Sequence, residues 1–295
     1  MTDLLLQQLV NALSLGGIYA LLALGLAAVF SVLGLINFAH GDLMTITGYT
    51  MVFALAGDLP FAAAAGLGIA TAALAAVLME RIAFRPVRNA STATMLLTSL
   101  AVSAILQVLF QNLISARPKA VPAPAALTGA VDVLGMDVGA IQLLAIGATA
   151  LLLVLMTLFL RRSLLGVAMR AAAADFPVTR LMGIDANRVV AVAFAISGVL
   201  AGVAGVLWIA QRGSVDPLMG FLPVLKAFIA VVLGGLGSLS GAVVGGFALA
   251  FIEVALRAFL PEGVLPFRDA IALSIVIAIL VVRPQGLLGR RVAVR

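Results

Sequence analysis

Three polar side chains fall within six residues of an otherwise apolar stretch: Asn37, His40 and Asp42, in Gly34-Leu-Ile-Asn37-Phe-Ala-His40-Gly41-Asp42. An amide, an imidazole and a carboxyl group this close together could couple an ion or line a polar route. The chain has one histidine and no cysteine, which excludes a multi-histidine metal site, thiol chemistry and disulfides. Length sharpens the point. The apolar run before the break is about 28 residues, roughly 42 Å as a helix, longer than the roughly 30 Å core of a bilayer. The run after it is about 14 residues, roughly 21 Å, which is too short. Two readings fit. Either the polar break sits inside the membrane, where unwound backbone is tolerated only if buried in protein or lining a cavity, or it is a turn capped by Asn37 and Asp42 at the surface.

A second candidate is Gly-Gly-Leu-Gly-Ser-Leu-Ser-Gly over 234–241. A phosphate-binding loop needs a lysine after its last glycine. The lysines are Lys119 and Lys226, and neither follows a glycine. Close helix packing by small residues, or a helix break, explains the segment better. Gly34 and Gly41 recur at an offset of 200 as Gly234 and Gly241, a possible internal repeat of interrupted helices. Asn37, His40, Asp42, Gly234 and Gly241 are therefore the candidates for a translocation pathway. Glu253 and Arg257, four residues apart near the outer end of a span, could pair along one helix face or snorkel as span ends, with a proton relay as a third reading.

A third candidate is the arginine-bearing segment 161–188. Leu164 to Ala174 has high helix propensity. Pro177 suits the first turn of another helix, Gly183 suits its end, and Asp185 or Asn187 can cap the next span. Short helices can transmit a displacement that a floppy linker cannot. Gly166, Arg170, Ala171, Asp175, Leu181 and Gly183 are the candidates for such coupling.

The elements that must position these groups are apolar helices. Of the 295 residues, 64% are hydrophobic and 10% charged, and the mean hydropathy is +1.25. A soluble domain carries about 25% charged residues. Apolar runs fall near 9–36, 43–56, 61–80, 93–113, 141–160, 189–210, 223–237, 242–259 and 270–282. They predict an all-α membrane protein: one polytopic domain over 1–295, a bundle of about eight or nine spans with interrupted helices. The alternating pattern of an outer-membrane barrel is missing.

The net charge of +6 reads as the positive-inside rule rather than nucleic-acid binding. Alternation places Arg81, Arg85 and Arg88, the 161–188 arginines, and the tail with Arg283, Arg290, Arg291 and Arg295 on one side, the cytoplasm. The other side receives Arg117, Lys119, Arg212, Lys226, Arg257, Arg268 and most acids. This predicts an outside N-terminus and a cytoplasmic C-terminus. No basic region precedes the first apolar run, so that run is expected to stay as a span. The Pro-bearing segment 114–140 is expected outside, as a docking rim or a plain linker.

The same residues carry a family likeness. Tyr19-Ala-Leu-Leu-Ala-Leu-Gly-Leu26 followed by Asn37-Phe-Ala-His-Gly-Asp42 resembles the first spans of branched-chain amino-acid ABC permeases of the LivH type. Gly166-Val-Ala-Met-Arg170-Ala, and Asp175 through Leu181-Met-Gly183-Ile184, resemble that family's cytoplasmic loop. Val231 to Gly246 and the tail Arg283-Pro-Gln-Gly-Leu-Leu-Gly289 are similar as well, in matching order. One departure is Phe176-Pro177 after Asp175, where the family pattern has a proline and then an acid.

The resemblance implies a subunit of an ATP-driven importer in the bacterial inner membrane. Its partners would be a second related permease subunit, two ABC ATPase subunits that carry ATP and magnesium, and a periplasmic substrate-binding protein. This chain would bind no cofactor and would not itself be an enzyme. The implied cargo is leucine, isoleucine or valine; relatives of this type also carry urea, short amides or aromatic acids. A second class is an ion-coupled secondary transporter, which would rely on His40, Asp42 and Glu253. A scaffold protein would leave the interrupted spans unexplained.

Overall fold

The computed structural model describes residues 2–133 and 136–289. Arg290, Arg291 and Arg295 of the basic tail lie outside the described residues. Helix α1 (Thr2–Leu33) ends where Gly34 adopts φ +65 and donates its N–H to Phe30 O. After an extended stretch comes α2 (His40–Ala56). Helix α3 (Phe61–Met79) continues through a π turn into α4 (Arg85–Val87). Helix α5 (Thr92–Leu109), capped by Ser91, also ends in a π turn.

The segment expected to be outside is largely non-helical. Strand β1 (Lys119–Ala120) precedes the single turn α6 (Ala125–Thr128), and β2 (Ala130–Val133) pairs antiparallel with β3 (Met136–Gly139). Then come α7 (Ala140–Arg162), α8 (Leu164–Ala174), α9 (Phe176–Leu181) and α10 (Ala186–Arg212). Strand β4 (Ser214–Val215) pairs antiparallel with β1. Helices α11 (Phe221–Gly234), α12 (Leu239–Phe259) and α13 (Arg268–Val282) complete the bundle.

Among the described residues, seven helical segments are long and apolar enough to cross a membrane, and α2 and α11 are shorter. Together they account for all nine apolar runs. Helix α1 is the axis of the bundle: 83% of its most apolar window is buried, against 22% for α3 and 17% for α7. Small residues let the backbones close in; a Cβ on Gly246 of α12 would strike Ala20 of α1. The outward faces of the peripheral helices carry Leu74, Leu113 and Val281, as a lipid-facing surface should.

The bundle has two distinct ends. At one, Arg88 Nη2 donates to Asn187 Oδ1 at 2.7 Å, and the tail donates Leu287 N to Leu233 O and Leu288 N to Gly234 O. Arg161, Arg170, Ser238 and Leu288 line one common cavity there. The arginine-bearing segments therefore share one end, as the alternating topology requires. At the opposite end Asn11 meets Gln142, Ser14 meets Gln211, and β1 meets β4.

Candidate functional site

The break after α1 returns into the bundle. His40, fully buried, lies with Nδ1 2.9 Å from Ser197 Oγ, near the middle of α10, and against Gly25 of α1. Helix α2 then runs outward beside α10, so that Gly48 packs against Ile209 and Val215. Residues 34–39 thus lead from the arginine-bearing end to mid-bundle, which favours the interior reading of the break over the surface turn. The N-terminus of α11 meets the same point: a Cβ on Gly41 would collide with the Gly220 carbonyl, and one on Gly220 with the Gly41 carbonyl. Helices α2 and α11 start side by side at that contact and diverge towards opposite ends. Only glycine permits this approach.

Gly234 and Gly241 lie elsewhere. They face each other across the short turn between α11 and α12, at the arginine-bearing end, where Ser238 caps α12 by accepting from Gly241 N. The structure brings Gly41 against Gly220 rather than placing 34–41 and 234–241 in equivalent positions. The sequence offset concealed this, because the partner break at 216–220 carries a single polar residue, Asp216, which reads as an ordinary turn cap.

Around the break, Asn37, His40 and Asp42 are all buried. Asn37 Nδ2 contacts Met79 Sδ at 3.7 Å, and Asp42 Oδ1 accepts from Gln107 Nε2 at 3.2 Å. Asn37 Oδ1, His40 Nε2 and Asp42 Oδ2 are left without a partner. Buried polar atoms are nearly always paired, so three unpaired atoms within six residues single the segment out.

A second polar cluster, buried at Tyr19 and Glu253 and opening to the surface at Asp269, went unread in the sequence. Lys226 Nζ lies 2.8 Å from Glu253 Oε1 and 3.7 Å from Asp269 Oδ1, while Tyr19 donates its hydroxyl to Glu253 Oε2 at 3.0 Å. Arg268 completes the cluster at 2.8 Å from Asp269. Two expectations are corrected here. Lys226 is not an outer-loop residue but lies within α11, and Glu253 turns to it instead of pairing with Arg257. A buried carboxylate needs a well-placed cation, and Lys226 reaches it from a facing helix whereas Arg257 sits exposed on the same helix. The available signal was a lone lysine inside an apolar helical run.

At the arginine-bearing end, α8 and α9 form as two short helices. Ser163 caps α8 by accepting from Gly166 N, and Asp175 caps α9 by accepting from Val178 N at 3.0 Å. The Phe176-Pro177 departure leaves α9 intact, with the proline in the first turn. Gly183, φ +80, closes that helix, and Asp185 caps α10. Of the coupling candidates, Gly166 is buried against Phe159 and Leu160, while Arg170, Ala171, Asp175, Leu181 and Gly183 are exposed. Leu164, Leu181 and Met182 are each more than three-quarters exposed, at 89%, 86% and 76%, beside the arginines.

The family model described as the permease component of branched-chain amino acid transport systems matches residues 8–282. The high-affinity branched-chain amino acid transport system permease protein BraD of Pseudomonas aeruginosa is 36% identical, over 97% of this chain and 96% of that protein. LivH of Escherichia coli K12, of the same description, is 34% identical with the same coverage. LivM of that organism is 34% identical over 145 residues, 47% of this chain and 33% of LivM. No solved structure matches the chain.

Proposed function

The chain belongs to the permease-component family of branched-chain amino acid transport systems, and from that membership we propose that it is a membrane-spanning subunit of an ATP-driven importer of leucine, isoleucine and valine. The observation that carries this is similarity to BraD and LivH over nearly the whole length of all three proteins. The second permease subunit is a related chain of the LivM kind, since the two types share sequence. The arginine-bearing end faces the cytoplasm of the inner membrane, with the N-terminus outside.

ATP and magnesium are held by separate ATPase subunits. Lys226 is engaged with Glu253, and Lys119 lies in β1, so neither is placed for a phosphate loop. Helices α8 and α9 receive the ATPase, which covers Leu181 and Met182 and lies against Arg170. Gly166 seats α8 on α7, so a push on α8 reaches the spans. The break at 34–39 lies along the route of the cargo, and its unpaired atoms find partners in another state of the transporter.

The test is transport in proteoliposomes containing this chain, the second permease and the ATPase pair, with the ATPases facing the bath and the binding protein enclosed in the lumen. Labelled leucine loaded into the lumen should pass to the bath only when ATP is added there, and this chain alone should hydrolyse no ATP. ATP turnover by the chain alone, or leucine movement driven by an ion gradient without the ATPases, overturns the reading. In the same complex, single cysteines at 171 or 181 should crosslink to the ATPase with ATP-dependent yield. Crosslinking confined to cysteines in 81–92 would move the coupling role to that segment.

A further inference from the structure

At the end of the bundle away from the arginine-bearing segments, α1, α7, α10 and α12 line a half-open cavity of about 510 Å³. That volume lies in the usual range for small-molecule sites, about 300–1,000 Å³. Its wall is rich in carboxamides, which are costly at a helix interface unless they bond. Gln142 Nε2 donates to Asn11 Oδ1 at 2.7 Å, and Asn11 Nδ2 donates to Gln8 Oε1 at 3.3 Å. Gln211 Nε2 donates to Ser14 Oγ at 3.0 Å. These bonds fix the side chains and leave Gln142 Oε1 buried without a donor.

Arg257 supplies the cavity's only charge among the described residues. No hydrogen bond or ion pair of its guanidinium is found among them. Glu253, one turn earlier on α12, is held by Lys226 and Tyr19. Leu15, Val254 and Ala258 add a compact apolar wall.

We infer that this cavity binds a free aliphatic α-amino acid as its zwitterion. Arg257 takes the carboxylate, Gln142 Oε1 accepts from the ammonium, and Leu15, Val254 and Ala258 face the side chain. A guanidinium offers a carboxylate two parallel N–H bonds. An ammonium relieves the cost of the unpaired buried oxygen. A simple anion would satisfy Arg257 and leave Gln142 unpaired; a simple cation would be repelled. The inference rests on the importer reading and adds to it a substrate station within this chain, on the side where cargo enters.

The test uses the assembled transporter in nanodiscs without its binding protein. Labelled leucine should bind, with leucinamide, which lacks the carboxylate, and 4-methylpentanoate, which lacks the ammonium, failing to compete. Arg257→Gln should weaken leucine binding at least ten-fold and Arg257→Lys should recover part of it. Both variants, at an exposed position, should assemble with the second permease and the ATPases in wild-type yield, which separates lost binding from misfolding. Leucine binding and uptake unchanged in Arg257→Gln, or a wild-type complex that imports leucine yet binds none on its own, overturns this site and leaves the importer reading standing. A wild-type complex that moves no branched-chain amino acid overturns that reading, and the ligand assigned here with it.

Discussion

The clusters around His40 and around Lys226 both place polar groups where α1 meets the shorter helices, the first wholly buried and the second buried at Glu253 and open at Asp269, but they are built on opposite terms. Around Lys226 the groups are charged and mutually engaged: Glu253 receives Lys226 and Tyr19, and Asp269 receives Arg268. Around His40 they bond sparsely, and Asn37, His40 and Asp42 each keep an unpaired buried atom. The first cluster ties α1, α11, α12 and α13 to one another. The second sits where α2 and α11 begin, beside the extended backbone of the break. A satisfied buried network rigidifies, whereas a partly satisfied one has bonding capacity left for another arrangement. The fastening and the movable element of the bundle are thus read from the same property, the fraction of polar atoms with partners.

That contrast breaks first at Lys226. Lys226→Met leaves the Glu253 carboxylate, 6% exposed, without its cation. Removing one partner of a buried pair costs about 3–5 kcal/mol. Thermal denaturation of the purified protein should show a large loss of stability. The double variant Lys226→Met with Glu253→Leu should recover most of it, because an apolar replacement of both partners is close to neutral. If the single variant is as stable as wild type, the cluster is not a fastening.

Ser197→Ala probes the other cluster and should cost less, about 1–3 kcal/mol, because it leaves His40 Nδ1 buried and unpaired. Its effect on uptake should exceed its effect on stability, since His40 anchors α2 to α10 at the break. A variant with normal uptake and lowered melting temperature would make His40 a plain structural tie.

How much of this was legible in sequence depends on how far apart the contributing residues lie. Asn37, His40 and Asp42 are neighbours in the chain, so their polarity stands out against the apolar run, and run lengths located the break. The α8–α9 pair was equally readable, because Ser163, Asp175, Pro177 and Gly183 are local caps and breakers whose effects need no tertiary contact. Tyr19, Lys226, Glu253 and Asp269 come from four helices, and no periodicity joins positions so far apart. Local logic instead paired Glu253 with Arg257 at i, i+4, and a facing helix overrode it. The same holds for Gly220, whose role depends wholly on Gly41 lying opposite.

The smallest expected effect on stability, and the sharpest test of the contrast, is Asp42→Asn. Asp42 Oδ1 accepts a bond from Gln107, the Ser103 hydroxyl lies beside the carboxylate, and Oδ2 keeps no well-formed hydrogen bond. An asparagine oxygen can keep the Gln107 bond, while the variant removes a carboxyl group whose second oxygen gains nothing from the fold. Burying an unpaired charge is costlier than burying an unpaired amide. The change in stability should therefore stay below about 1 kcal/mol, in either direction. Uptake should fall by much more than that small change accounts for if Oδ2 bonds in another state of the transporter, because an amide N–H₂ cannot accept there. Melting temperature and leucine uptake measured on the same preparation separate the outcomes. A large loss of stability would place Asp42 with Glu253 among the fastenings. Unchanged stability with unchanged uptake would remove the carboxyl group from the route and leave Asn37 and His40 to carry the break.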